Sequence, residues 1–205
     1  MKISYKEVRQ IYQTDKLKKL SDKSITAGTD PDIDQWLTDT QDHYGLLFYI
    51  ASKFNNSRLI DLGTHRGCSA LCLSHNTSNK VVTYDRCKVR GGPESNLKSI
   101  PKNLTIKVDD IFKIDNIKDW LDSDFIFIDI NHEGVDEKRI YDILVENNYK
   151  GITMWDDIHH QDYNMSGFWN SIPDKIKYDI TEIGHTEKNA GTGLIDFSNK
   201  VNILP

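Results

Sequence analysis

The sequence contains no apolar run approaching the roughly 18 residues that a membrane-spanning helix requires. Its first twenty residues, MKISYKEVRQIYQTDKLKKL, are charged throughout and lack the apolar centre of a secretory leader. A soluble, cytoplasmic protein with no membrane partner is the expectation. Cysteine is scarce: Cys68, Cys72 and Cys87 form an odd set in a chain of 205 residues, which is too large to need disulfide staples. Cys68 and Cys72 lie four residues apart in a predicted helix, a spacing that suits small buried hydrophobes on one face. Positive charge is also short, with 26 Lys and Arg against 31 Asp and Glu and a net charge of -5. A nucleic-acid partner, which demands a basic surface, is therefore not expected. There is no G-x-G-x-x-G, the spacing of a pyrophosphate-binding dinucleotide turn, which argues against a nicotinamide-linked oxidoreductase. Internal repeats and low-complexity tracts are absent as well.

What the chain does contain is an alternation of strand-length apolar runs with stretches of helical period. The runs are SRLIDLG (57–63), KVVTYD (80–85), NLTIKV (103–108), DFIFIDI (124–130) and GITMWDD (151–157), rich in the branched and aromatic residues that strands favour. Between them, GCSALCLSHN, IDNIKDWLD and EGVDEKRIYDILVENN have helical character. In the last of these, Val135, Ile140, Tyr141 and Leu144 recur at helical spacing. This β-α-β-α rhythm predicts an α/β fold: a mostly parallel sheet of seven strands, Rossmann-like, with helices on both faces. The runs KYDITEIG and GTGLIDFS, flanking the polar HTEKNA, predict an antiparallel hairpin that closes the sheet. Upstream, SYKEVRQIYQTDKLKKL reads as a helix, SDKSITAGTDPD as a loop and IDQWLTDTQDHYGLLFYIASKF as a long helix feeding the first strand. Residues 1–54 are read as a helical cap on a single domain whose α/β core is 55–205. The stretch DQWLTDTQDHYG is expected to close over the site. The length also suits one domain of a larger, multidomain enzyme, and nothing in the sequence fixes the oligomeric state.

In open α/β sheets, ligands bind beyond the carboxyl ends of the strands. The first such end carries Asp61-Leu-Gly63-Thr64-His-Arg-Gly67, the pattern D-x-G-x-x-x-G. Gly63 and Gly67 permit close backbone approach, and the amides opening the next helix can face a negative group. His65 and Arg66 are read as exposed turn positions. Asp85, at the end of the second run and 24 residues after Asp61, can accept hydrogen bonds from both hydroxyls of a ribose. Asp109 and Asp110, ending the third run, can reach the amino group of a purine. At the fourth and fifth ends stand Asp129 and the pair Asp156 and Asp157. Three carboxylates on adjacent strand ends repel one another, so either their pKa values rise or a hard divalent cation such as Mg2+, or else Mn2+ or Ca2+, sits among them. His132 follows Asp129 by three residues and is placed to act as a general base. His159 and His160 are alternative bases or ligands, or solvated loop residues. Trp155 and the stretch QDYNMSGFWNSIP are expected to present aromatic and amide groups to an acceptor.

The acidic strand end with its glycine-spaced turn, followed by Asp85 and Asp110, resembles the first motifs of class I S-adenosylmethionine (SAM) dependent methyltransferases. GTGLIDF is similar to the last strand of that fold. More narrowly, LIDLGTHRGCSAL, FIDINHEGVDEKRIYDIL and WDDIHH resemble the metal-dependent O-methyltransferases of natural-product and glycan pathways, especially those that methylate macrolide deoxysugars. The resemblance covers residues 40–197, with Asn131 where that group often has Ser and Asp rather than Glu at 156. It implies SAM bound by Asp61, Gly63, Thr64, Gly67, Ser69, Asp85, Asp109 and Asp110, a metal held by Asp129, Asp156 and Asp157, and His132 as base with Asp129 beside it. The implied acceptor is a small molecule or glycan, with a deoxysugar such as rhamnose as the leading choice. A metal-independent or catechol-type methyltransferase and a non-catalytic nucleoside-binding domain are the alternatives.

Overall fold

A computed structural model describes residues 1–24, 37, 43–86, 97, 99–160, 164–184 and 190–204. Seven strands make the central sheet: β2 (Arg58–Leu62), β3 (Lys80–Asp85), β4 (Leu104–Val108), β5 (Phe125–Ile128), β6 (Ile152–Asp156), β7 (Lys177–Asp179) and β8 (Thr192–Asp196). Their order is β4-β3-β2-β5-β6-β8-β7, parallel except for β8, which runs antiparallel to both β6 and β7. The expected fold is therefore present, hairpin included. The order reverses between β2 and β5: β2 continues outward to β3 on one side and pairs with β5 on the other. A crevice forms at the carboxyl ends where sequence neighbours part in this way.

Period-two alternation sorts each strand between two cores. On β5, Phe125 and Phe127 enter one cluster and Ile126 and Ile128 the other. The first cluster is covered by α1 (Tyr5–Tyr12), α2 (Lys16–Ser24), α3 (Tyr44–Ser52) and α4 (Cys68–Ser74). The second lies under α5 (Ile114–Leu121), α6 (Val135–Glu146) and α7 (Met165–Ser171). Because both faces are covered, the strand interiors are mostly apolar, as expected of a parallel sheet, with Asp61, Thr83 and Thr153 the buried polar residues of β2, β3 and β6. Cys68 and Cys72 are buried in the first cluster and form no disulfide; Cys87 lies outside the described residues.

Several local expectations are corrected. The N-terminal stretch read as one helix is a short strand β1 (Lys2–Ser4) followed by α1 and α2, with the break at Thr14, whose hydroxyl donates to the Ile11 carbonyl. β1 pairs in parallel with the last strand, β9 (Asn202–Leu204). KYDITEIG is strand only through Asp179. The Asp179 carboxylate then accepts bonds from the Thr181 amide and hydroxyl, turning the chain into the short helix α8 (Thr181–Gly184). Val135 opens α6 on its exposed side, while Ile140 and Leu144 carry the buried stripe. Of the long helix expected over 33–54, Tyr44–Ser52 is helical and residues 33–36 and 38–42 lie outside the described set, as do 25–32 of the loop before it. Among the described residues no helix is long and apolar enough to cross a membrane.

Candidate active site

A cleft of about 520 Å³ opens at the carboxyl ends of β2, β3, β4 and β5, lined among others by Gly63, Asp85, Asp110, Phe112, Asp129 and His132. A larger groove of about 860 Å³ lies at the opposite ends of the strands, around Arg58, Lys80, Asp124 and Lys150. None of the predicted site residues borders it.

Gly63 is where the floor of the cleft is set. Its φ is +108°, and an added Cβ would fall 1.7 Å from the carbonyl oxygen of Asp129, so the β2 turn and the end of β5 touch backbone to backbone. Gly67 is also left-handed, at φ 91°, and caps α4. Asp61, Thr64 and Ser69, assigned from the sequence to the cofactor, form a buried polar layer beneath this turn. Ser69 and Thr83 donate to Asp61 Oδ2 at 3.0 and 2.6 Å, and the hydroxyls of Thr83 and Thr64 are 2.6 Å apart. Asp61 Oδ1 is buried without a hydrogen-bond partner. Burial pushes the Asp61 pKa up to about 7, against the two hydroxyl bonds that favour the charge. These three residues hold the turn; the cleft itself is faced by Gly63, Asp85 and Asp110, and Thr64 and Ser69 line a small cavity beside it with Gly63 and Asp129.

Asp85 accepts from the His65 amide at 2.9 Å, which ties the glycine turn to the end of β3. Asp110 accepts from the Phe112 amide at 2.9 Å. Asp109 turns away from the cleft to Lys113 and to the Asn116 amide, contacts that hold its carboxyl down at about 2. Thus the structure brings Asp85 and Asp110 to one space and leaves Asp109 in a surface ion pair.

Beyond β5 and β6 the carboxylates meet. Asp129 and Asp156 come together as expected, and a third group joins them: His43, from the turn that opens α3, places a ring nitrogen so that the three donor atoms lie within 4.8 Å of one another. His43 Nδ1 is 3.1 Å from Asp156 Oδ1. Its ring is buried against Tyr44 and Phe127 at centroid distances of 4.6 and 5.0 Å. Asp157, adjacent to Asp156, points elsewhere because its backbone is left-handed, at φ 56°. Its carboxylate lies 3.7 Å from His132 Nδ1, while His132 Nε2 is 3.2 Å from Asp129. His132 therefore sits between two acids. Burial opposes its charge, but the Asp129 hydrogen bond and the surrounding carboxylates raise its pKa to about 9. Burial and the neighbouring Asp156 push Asp157 up to about 6. Burial raises Asp129, and in Asp156 the effect of burial is outweighed by the charge of His43, which lowers it.

The His132 loop is fixed from behind. Buried Glu137 accepts from the His132 amide at 2.8 Å and from the Gly134 amide at 2.9 Å, securing His132 at φ 58°. The spacing G-x-x-E at the start of a helix was the readable signal for this contact. His43 had no comparable signal, since it meets its partners only through the tertiary fold. His159 pairs with Asp179, 2.9 Å away. Two aromatic expectations are corrected. Trp155 is fully buried and donates to Thr153 Oγ1, and Phe168 and Trp169 are buried in α7, so none of them faces an acceptor. Residues 161–163 of the same stretch lie outside the described set.

No family model matches the sequence, and no curated protein does. Solved structures do match in shape. An O-methyltransferase from Bacillus cereus in complex with SAH is 12% identical, covering 92% of this chain and 99% of its own with a TM-score of 0.54. A protein from Staphylococcus aureus assigned as a caffeoyl-CoA O-methyltransferase is 13% identical, with 94% and 98% covered and a TM-score of 0.56. SAH-bound methyltransferase PaMTH1 from Podospora anserina is 13% identical, with 92% and 86% covered and a TM-score of 0.50. At these identities the likeness is one of fold, and it agrees with the strand order and the cleft: the chain carries the Rossmann-like class I methyltransferase fold.

Proposed function

We propose that the protein is a SAM-dependent O-methyltransferase acting on a hydroxyl of a small acceptor, with a glycan sugar as the acceptor class and assistance from a divalent cation. The observation that carries this reading is the division of the cleft at the β2/β5 switch point. Asp85 and Asp110 stand on one side and Asp129 and His132 on the other, with Asp156 grouped with Asp129 outside the cleft lining. Two of the structural neighbours hold SAH, the demethylated donor, which supports the same use here.

Bound at this cleft, the donor would supply an electrophilic methyl group, and a cation among the carboxylates would make the acceptor hydroxyl more acidic. The chain's own residues do the rest. Asp85 accepts hydrogen bonds from ribose hydroxyls, Asp110 accepts one from the adenine amino group, and Gly63 lets the backbone close on the donor. Asp129 and Asp156 orient the acceptor hydroxyl, and His132 takes its proton as the oxygen attacks the methyl carbon. His132 is protonated at neutral pH among bare carboxylates; a cation there weakens the field that holds this proton, so cation and base belong together. The acidic surroundings disfavour a phosphorylated acceptor. The sugar assignment rests on the sequence motifs, since Trp155, Phe168 and Trp169, expected to stack on a sugar, are in the core.

The test is a calorimetric titration of SAM and SAH into the protein with Mg2+ and with EDTA, followed by a panel of deoxysugar and catechol acceptors. Micromolar SAH binding is expected. No binding under either condition refutes the reading. SAH binding with turnover unaffected by Asp129→Ala and His132→Ala refutes the site assignment.

A further inference from the structure

We infer that the cation of this site is a first-row transition metal held by His43, Asp129 and Asp156, with His43 as a nitrogen ligand delivered by the N-terminal segment. The inference deepens the methyl-transfer reading and rests on it. It departs from an all-carboxylate site in the donor set and excludes Mg2+ and Ca2+ as the preferred metal.

Three observations support it. First, the donor atoms of His43, Asp129 and Asp156 lie within 4.8 Å of one another. Two bonds of about 2.0–2.2 Å across one cation span at most roughly 4.4 Å, so a few tenths of an ångström of closure brings all three into one coordination sphere. Asp157, whose left-handed backbone turns it to His132, is outside this set. Second, His43 is buried, and its ring orientation is held by Phe127 on β5 and by Tyr44. A ligand whose rotamer is set by packing loses little entropy on binding a metal. Third, Asp61 Oδ1, fully buried and without a hydrogen-bond partner, feels the charges of both Asp129 and His43. A buried carboxylate oxygen left without a donor beside a further acid calls for positive charge close by.

The donor set then chooses the metal. Mg2+ prefers oxygen ligands and near-ideal octahedral geometry, whereas an imidazole with two carboxylates suits Mn2+, Fe2+, Co2+ or Zn2+. The sequence alone offers Mg2+, Mn2+ or Ca2+ on carboxylates, because His43 is invisible beside the acids until the fold brings it there.

Mn2+ tests this directly, because its unpaired electrons report nearby nuclei. The full chain, stripped with a chelator, is titrated with Mn2+ and separately with Mg2+. The Mn2+ complex is then examined by pulsed electron paramagnetic resonance for the nitrogen modulation of a coordinated imidazole. Mn2+ should bind at least about tenfold more tightly than Mg2+. The imidazole modulation should be present in the wild type and in His132→Gln, and absent in His43→Gln. Retention of the modulation in His43→Gln, its absence from the wild type, or equal affinity for Mg2+ overturns the inference. The wild-type spectrum needs no variant, so a misfolded His43→Gln does not leave the matter open. SAH binding in EDTA is measured on the same sample. If it is intact while Mn2+ fails to bind, the metal inference falls and the methyl-transfer reading stands; if SAH does not bind, the methyl-transfer reading itself falls.

Discussion

Replacement of Gly63 by alanine tests the central claim about the geometry, that the glycine turn and the end of β5 are in backbone contact. The new Cβ would lie 1.7 Å from the Asp129 carbonyl oxygen and 2.7 Å from its carbon. Ordinary contact begins near 3.4 Å, so the two segments must part by about 1.7 Å in an interior that is close-packed. The backbone at φ +108° adds strain of about 1–3 kcal/mol for a residue with a Cβ. Overpacking adds about 1–3 kcal/mol more. At about 2–4 °C per kcal/mol for a chain of this size, Tm should fall by on the order of 10 °C. Gly191→Ala provides the comparison: its φ of +80° imposes similar strain, but its Cβ meets only the side chain of His159, which is half-exposed and can swing aside. Gly63→Ala should therefore be the less stable of the two in thermal or urea unfolding, and it should also weaken SAH binding, because Asp129 moves with the strand end. A Gly63→Ala protein as stable as Gly191→Ala would refute the contact.

Three further outcomes follow from the same geometry. Asp61 has a folded-state pKa of about 7, above its unfolded value, so its contribution to stability is complete below about pH 4 and is lost as pH rises through 7. The loss is at most about 4 kcal/mol; urea midpoints across this range should fall in the wild type, and the difference from Asp61→Asn, which keeps an acceptor for Ser69 and Thr83, should trace that titration. Asp85→Ala should weaken SAH binding about 10- to 100-fold by calorimetry, whereas Asp109→Ala, which removes only the pair with Lys113 and Asn116, should leave it unchanged. Trp155→Ala should cost about 3–5 kcal/mol in urea unfolding as a core truncation, while Trp155→Phe should keep wild-type SAH affinity; a loss of affinity in the phenylalanine variant would return Trp155 to the site.

The parts of this molecule that were legible in the sequence are those set by local pattern. Strand runs of four to six residues, helical periods between them and acids at the strand ends all follow from period and position, and they place Asp85, Asp110, Asp129 and Asp156 correctly at one edge of the sheet. The misread residues depended on direction. Trp155 precedes Asp156 on a strand covered on both faces, so it had to be buried; its aromatic character suggested a contact surface, but both-sided burial decides the matter. Asp156 and Asp157 read as a pair, yet one left-handed residue separates their carboxylates. Asp61, read as a ligand contact because it belongs to the turn, is fully buried under it, while Thr64 and Ser69 bond within the turn and also line a small cavity beside Gly63 and Asp129. His43 was unreadable in kind, since only the packing of α3 on the sheet carries it to Asp156.

The pairing of β1 with β9 joins Lys2 to Asn202, near the two ends of the chain. Contacts so distant in sequence close a very large loop, and their entropic cost must be met before they return any energy. Folding therefore reaches β1 and α1 late, after the β2–β3 and β5–β6 pairs have formed across single helical or loop crossovers, and the amides of Ile3 and Ile203 should open to solvent well before those of Ile60 and Ile126. The Asp85 and Asp110 side of the cleft is expected to belong to the early, persistent part of the molecule. His43 enters the chain between these two regimes, so the group that completes the acid cluster is tied to the piece with the shorter lifetime.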